Sequence, residues 1–259
     1  MDLNLKDKVF IVTGGGAGIG EAISLAAAKE GAKVVIVSRS DIKNTSIESE
    51  LLKLKAHYLF VKTELSDVGQ CENAIKQTVA HFGQIDVLIN NAAVNDGVGL
   101  ESGSPEKFVE SMHKNLFHYY NLAHFALPYL KETKGNIVNI GSKTAVTGQG
   151  GTSGYAASKG AQNALTREWA VELLKYGIRV NAVIPAEVYT PLYDKWIKTF
   201  ENPTEKLAKI TANIPLGNRF TTAQEIADMV VFLASERSAH TTGQIVYVDG
   251  GYTHLDRAL

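Results

Sequence analysis

Short apolar runs alternate along the chain with longer amphipathic segments. KVFIVT from Lys8, KVVIVS from Lys33, HYLFV from His57, DVLIN from Asp86, NIVNI from Asn136, RVNAVI from Arg179 and QIVYV from Gln244 each have the length of a strand and little polar interruption. Such runs suit strands covered on both faces. Helical spacing is predicted between them, from Ile19 to Glu30 with Gly31 closing the turn, near Thr45 to Leu54, and from Asp67 to Phe82. Further helices are predicted from Pro105 to about Leu130, in the run opened by Tyr155, and near Gln224 to Leu233. Strands alternating with helices of ten or more residues predict an α/β fold, a single-domain doubly wound parallel sheet with helices on both faces, spanning residues 1–259. One segment departs from the alternation: Tyr189 to Asn213 is polar and helix-prone, with the length and position of a lid over the strand ends.

Composition narrows the function classes. A chain of 259 residues can bury a full core, and a formal net charge of −1 gives no footprint for nucleic acid or an anionic membrane. Cys71 is the one cysteine, so an intrachain disulfide and a cysteine metal cluster are both excluded. The seven histidines show neither a His-Glu-x-x-His motif nor another zinc spacing, and no metal site is expected. MDLNLKDK lacks the basic and apolar regions of a secretion signal, and no apolar run reaches the ~20 residues of a membrane span. A cytoplasmic location is the expectation.

The first apolar run ends in Thr13-Gly-Gly-Gly-Ala-Gly-Ile-Gly20, and a helix follows directly. That order of strand, glycine turn and helix N-terminus is where a dinucleotide pyrophosphate meets free backbone N–H groups. The spacing here is Gly14-x-x-x-Gly18-x-Gly20 rather than G-x-G-x-x-G. At the end of the second run, where an acid would accept bonds from a ribose 2′-hydroxyl, the chain has Ser38 followed by Arg39. A serine hydroxyl and a guanidinium suit a 2′-phosphate, which favours NADP; NAD is the alternative if Asp41 reaches the ribose instead.

Ser142 to Lys159 carries the candidate chemistry. Tyr155 and Lys159 stand at i and i+4 of a helical run and so share one face, where an ammonium would favour the phenolate and bring a pKa of about 10 toward neutrality. Ser142 follows the fifth apolar run, at a strand's C-terminal end, where ligands bind in open α/β sheets. The chain has its own control in Tyr58 and Lys62, which share that spacing but lie in an extended run that would separate them by ~13 Å. A serine-hydrolase elbow at Ser153 fails because Tyr155 stands where its second glycine is needed.

Taken together, these residues resemble the short-chain dehydrogenase/reductase family, and the likeness runs through Asn90-Asn-Ala-Ala93, Asn115, Arg179-Val-Asn-Ala-Val-Ile-Pro185 and Val248-Asp-Gly-Gly251. The resemblance implies a Rossmann-type fold and an NAD(P)-dependent oxidoreductase acting on an alcohol/carbonyl pair. It implies that Ser142 holds the reacting oxygen, Tyr155 exchanges the proton, Lys159 binds the nicotinamide ribose and lowers the Tyr155 pKa, and Asn115 holds a relay water. It extends the cofactor-binding set to Gly14, Gly18, Ile19, Gly20, Ser38, Arg39, Glu64, Leu65, Asn91, Ala92, Tyr155, Lys159, Pro185, Val188 and Thr190. Ala93 and Ala186 stand where the family has glycine, an expected change of pocket shape.

Within the family, the segments around Tyr155, around NAVIPAEVYTPLY and in the tail VDGGYTHLDRAL look like the branch that dehydrogenates L-fucose. That likeness implies oxidation of an aldose at its anomeric hydroxyl, with Asn95, Lys143, Gln149, Glu187 and Trp196 as substrate candidates. Other sugars or a 3-oxoacyl substrate are the alternatives, and a dinucleotide-binding module without turnover is the competing class. The resemblance also implies a homotetramer or homodimer packed through the helices bearing Asn115 and Tyr155.

Overall fold

A computed structural model of the protein describes residues 2–255. Seven parallel strands form one sheet in the order β3-β2-β1-β4-β5-β6-β7. They are β1 (Val9–Thr13), β2 (Lys33–Ser38), β3 (Tyr58–Lys62), β4 (Val87–Asn90), β5 (Asn136–Ile140), β6 (Arg179–Pro185) and β7 (Ile245–Val248), each within two residues of its apolar run. All residues of β1, β4 and β5 are buried, because helices cover both faces. This is the doubly wound Rossmann-type arrangement that the alternation predicts.

The helices are α1 (Gly18–Lys29), α2 (Ser46–Lys53), α3 (Val68–Phe82), α4 (Pro105–Met112), α5 (His118–Thr133), α6 (Ser153–Leu173), α7 (Pro191–Ile197), α8 (Pro203–Ala212) and α9 (Ala223–Ala234). On one face of the sheet Ile23 and Ala27 of α1, Ile47 and Leu51 of α2, and Ile226 and Val230 of α9 close over Phe10, Val12, Ile36 and Ile89. On the other, Cys71 and Ile75 of α3, Leu122 and Leu130 of α5, and Trp169 and Leu173 of α6 close over Ile11, Val35, Leu88 and Ile137. Burying a side chain of this size contributes about 1.5–3 kcal/mol.

Two elements differ from expectation. The helix expected from Pro105 to about Leu130 runs on to Thr133 and is interrupted by a π-helical turn, His113–Phe117, which contains Asn115. The Tyr155 helix begins two residues earlier, at Ser153. The insertion from 189 to 213 folds into two short helices, α7 and α8, capped by Thr190 and Asn202 and each opened by proline. The last four residues of the tail likeness, 256–259, lie outside the described residues.

β1 pairs with β2 on one side and β4 on the other, so the chain reverses its winding between β1 and β4. Their carboxyl ends form the switch point at which open α/β sheets receive ligands. Thr13 and Asn90, the last residues of those strands, are both fully buried there.

Candidate functional site

The glycine turn lies over that switch point. Gly14 and Gly18 have φ of +63° and +58°, backbone that side chains with a Cβ rarely adopt. At Gly20 a Cβ would come 2.2 Å from the Gly14 carbonyl oxygen, so turn and helix pack too closely for any other residue. Ala17 gives α1 no side-chain cap, which leaves first-turn N–H groups for an anion. A bare-backbone cradle at an uncapped helix start fits the pyrophosphate of a dinucleotide.

Thr13 anchors the floor beneath this turn. Its Oγ1 donates to the Ile89 carbonyl at 3.3 Å and accepts from the backbone N–H groups of Asn91 and Ala92 at 2.8 and 3.0 Å. Asn91 Nδ2 returns a bond to the Thr13 carbonyl at 2.8 Å, so the ends of β1 and β4 are tied together. Sequence reasoning missed Thr13; its signal was a hydroxyl in the last position of an otherwise aliphatic strand. Leu65 and Val188 are buried in the loops that follow β3 and β6, and Pro185 ends β6. Thr190 closes on the turn from above: a Cβ at Gly18 would lie 3.3 Å from its methyl. Ile19, half-buried, packs against the core beneath.

At the β2 end, Arg39 is exposed and pairs with Glu64 at 3.8 Å, while Ser38 Oγ donates to the Ser40 carbonyl at 2.9 Å. Asp41 is exposed and accepts from the Lys43 N–H at 2.9 Å. The solvated Arg39–Glu64 pair is worth ~0–1 kcal/mol and can open for a stronger anion.

The structure brings Ser142, Tyr155 and Lys159 together. Ser142 follows β5, caps the short turn Lys143–Ala145, and hydrogen-bonds with the Tyr155 phenol. Lys159 Nζ lies 5.5 Å from the centre of the Tyr155 ring, as one helical turn demands. It donates to the Ile140 carbonyl at 2.8 Å and to the Tyr119 hydroxyl at 3.3 Å. Tyr58 and Lys62 lie along β3, where extended backbone keeps them apart.

The ionisation of the pair corrects the expectation. Burial pushes the Tyr155 phenol up to about 12, opposed in part by its bond to Ser142, and burial pulls the Lys159 ammonium down to about 7. Desolvation therefore sets the direction of the Tyr155 shift, upward rather than the downward shift expected from Lys159. The chain on its own holds a neutral phenol, a proton donor, beside an amine that titrates near neutrality.

Asn115 lies in the π turn with its side chain committed to protein partners. Its Oδ1 accepts from the Val94 N–H at 2.7 Å, its Nδ2 donates to the Ser111 carbonyl at 3.0 Å, and its own carbonyl accepts Gln162 Nε2 at 2.6 Å. A π turn adds one residue to the ladder and is frequent where a site re-aims backbone. Asn115 thereby joins the loop after β4 to α6.

The substrate candidates divide. Lys143, buried, and Glu187, half-buried, are bonded to each other through Nζ and Oε1, and Lys143 Nζ also lies 4.1 Å from the centre of the Tyr252 ring. Trp196 on α7 is 40% exposed and stacks edge-on against Tyr193 and Phe200, both at 5.0 Å. Asn95 and Gln149 are exposed; Asn95 Oδ1 accepts from the Gly97 N–H, while the neighbouring Asp96 accepts from Ser111 Oγ at 2.9 Å. Sequence reasoning missed Tyr193 and Tyr252, whose phenols gather near Glu187. Ala93 and Ala186 are half-buried, and neither has positive φ, so their methyl groups sit without backbone strain.

Among the described residues, no group of three or more His, Cys, Asp or Glu could hold a metal ion, and no helix is long and apolar enough to cross a membrane.

Comparison with known proteins agrees with this geometry. The family model described as enoyl-(acyl carrier protein) reductase matches residues 14–253. L-fucose dehydrogenase of Rattus norvegicus is 35% identical over 94% of this chain and 88% of its own, and 3-oxoacyl-[acyl-carrier-protein] reductase of Thermotoga maritima is 34% identical over 96% and 99%. Among solved structures, a dehydrogenase designated Cj0485 is 49% identical with a TM-score of 0.96 over 100% of this chain and 99% of its own. The aldohexose dehydrogenase of Thermoplasma acidophilum is 31% identical with a TM-score of 0.90, also over 100% and 99%. With the glycine cradle and the Ser142, Tyr155 and Lys159 cluster in the same fold, the chain belongs to the short-chain dehydrogenase/reductase family, oxidoreductases of CH–OH groups that use a nicotinamide dinucleotide.

Proposed function

We propose that the protein oxidises the anomeric hydroxyl of an aldose, L-fucose in the first instance, to the 1,5-lactone. The observation that carries this reading is the bond between Lys143, buried directly after Ser142, and half-buried Glu187, flanked by Tyr252 and by Tyr193 of α7. An ammonium and a carboxylate beside aromatic rings suit several hydroxyls and one apolar sugar face. An acyl chain would offer this pair no further hydrogen-bond partner, whereas sugar hydroxyls can bond to both groups. The fucose and aldohexose dehydrogenases among the relatives support the same choice.

In this reading Ser142 holds the anomeric oxygen and Tyr155, as phenolate, takes its proton while the C1–H bond breaks. The nicotinamide, when bound, accepts the hydride from C1. Lys159 holds the ribose and, in its charged form, favours the phenolate, Asn115 fixes the neighbouring loop and relay, and α7 with α8 forms the lid that excludes water. Ser38 and Arg39 favour NADP, whose 2′-phosphate would compete with Glu64 for Arg39. Copies associate through α4, the π turn, α5 and α6, where Val109, Phe117, Tyr120 and Val171 are exposed.

An aldose panel followed at the reduced-nicotinamide absorbance tests this reading, with L-fucose, L-galactose, D-arabinose, D-glucose and a 3-oxoacyl thioester each offered NADP(H) and NAD(H). L-fucose with NADP should give the highest kcat/KM. D-arabinose, which lacks the methyl, should fall below it by ~1–3 kcal/mol in transition-state binding. Good turnover of the thioester with none of L-fucose would establish the acyl alternative, which the Thermotoga maritima relative supports.

A further inference from the structure

Lys159 is fully buried, and a buried ammonium needs acceptors for its protons. One is the Ile140 carbonyl at the end of β5, which is backbone and present whatever the sequence. The second is the hydroxyl of Tyr119, on α5 just after the π turn. Tyr119 has no exposed surface, and its hydroxyl donates to the same Ile140 carbonyl at 3.1 Å, closing a three-membered ring of bonds around one oxygen. Gln162, one turn beyond Lys159 on α6, also hydrogen-bonds with this phenol and takes the Asn115 carbonyl with its Nε2. Tyr119 thus connects the π turn, the end of β5 and the buried face of α6 at the amine itself.

We propose that Tyr119 is a positioning residue for the reaction: its hydroxyl, as an acceptor on Lys159 Nζ, holds the amine in place and favours its charged form next to Tyr155. The inference rests on the reading of Tyr155 and Lys159 as the acid–base pair. A purely structural tyrosine would need only the Ile140 carbonyl as partner. The bond from Lys159 is the extra one, and it is the bond that couples Tyr119 to proton chemistry.

The titratable groups facing this amine are few. Tyr155 is on α6 and Tyr119 on α5, and the phenol of Tyr119 feels the charge of Tyr155; His118, fully buried and held down to about 4 by burial and in part by Lys159, lies with its ring tilted 4.9 Å from that of Tyr119. Glu64, after β3, acts on this group only through the field it exerts at His118. No carboxylate among the described residues is bonded to Lys159, so its charge depends on dipoles: a carbonyl and a phenol oxygen.

Removing the phenol oxygen disfavours the ammonium, which weakens stabilisation of the Tyr155 phenolate and makes the phenolate form at higher pH. Tyr119→Phe keeps the ring and its packing. Its profile of log kcat against pH for oxidation should move to the alkaline side by about half a unit to one unit, as partial transmission to the phenol of one hydrogen bond lost at the amine implies. Turnover should fall about 3- to 10-fold at neutral pH and converge on the wild type at high pH, with cofactor affinity and thermal midpoint changed much less. A profile that superposes on the wild type, or a uniform loss at every pH, overturns the proposal. Tyr155→Phe, measured alongside, separates the two claims: if it is inactive at all pH values while Tyr119→Phe is unshifted, only the role of Tyr119 fails. Full activity of Tyr155→Phe would overturn both.

Discussion

Tyr155 and Lys159 show how little spacing says about ionisation. Their shared helical face is written in the sequence, and the structure keeps it. The direction of the phenol shift is not, because burial is a property of everything packed around the pair, and here it dominates. Lys159 carries a stability consequence. Its pKa falls from 10.5 in the open chain to about 7 in the fold, so the unfolded state binds more protons between those values. Stability from this group is fully present above about 10.5, declines as pH falls toward 7, and is flat below, where both states are charged. Lys159→Met should flatten that slope in urea unfolding followed from pH 7 to 10; an unchanged slope would show that the amine titrates normally in the fold. The same logic places oxidation on the alkaline side, since the phenol must lose its proton, and reduction on the acid side, where it keeps one.

At the level of elements, apolar runs located all seven strands, because the central strands are buried on both faces and even the half-buried edge strands β3 and β7 are mostly apolar. The π turn at Asn115 was invisible: one extra residue shifts the helical phase briefly, and the apolar positions on either side still read as one helix. Gln162 was missed for the same reason, since its partner is the Asn115 carbonyl in that turn, and Tyr119 was missed because its partners lie at the end of β5 and on α6, 21 and 40 positions away. Likewise Lys143 and Glu187 were each legible as polar residues near the strand ends, but their bond spans 44 positions that only the fold brings together. The glycine turn was legible because its constraint is local. Gly20→Ala tests that constraint: the added methyl would meet the Gly14 carbonyl oxygen and Asn91 Nδ2, at 2.2 and 2.7 Å. Nucleotide affinity should drop at least tenfold, about 1.4 kcal/mol, and stability should fall by ~1–3 kcal/mol from overpacking. Wild-type affinity in a nucleotide titration would mean that the turn does not seat the pyrophosphate.

Across the whole molecule, the winding reversal between β1 and β4 gathers Thr13, the glycine turn and Asn91 at one end, and β5 and β6 deliver Ser142 and Glu187 to the same side. Under the proposed function these would be a cofactor half and a substrate half along one edge, with α7 and α8 as the lid over the latter. Association through α4, α5 and α6 would also fix α6, and with it Tyr155, against a second copy. Light scattering should give the mass of a dimer or tetramer; a monomer at assay concentration would remove that support. The most direct test of the account uses L-fucose deuterated at C1, incubated with the protein and NADP. Reduced nicotinamide should accumulate in equal amount with a lactone that has lost its deuterium, at a rate slowed by the heavier isotope whenever chemistry limits turnover. No reduced nicotinamide, or a product that keeps deuterium at C1, would contradict oxidation at the anomeric carbon.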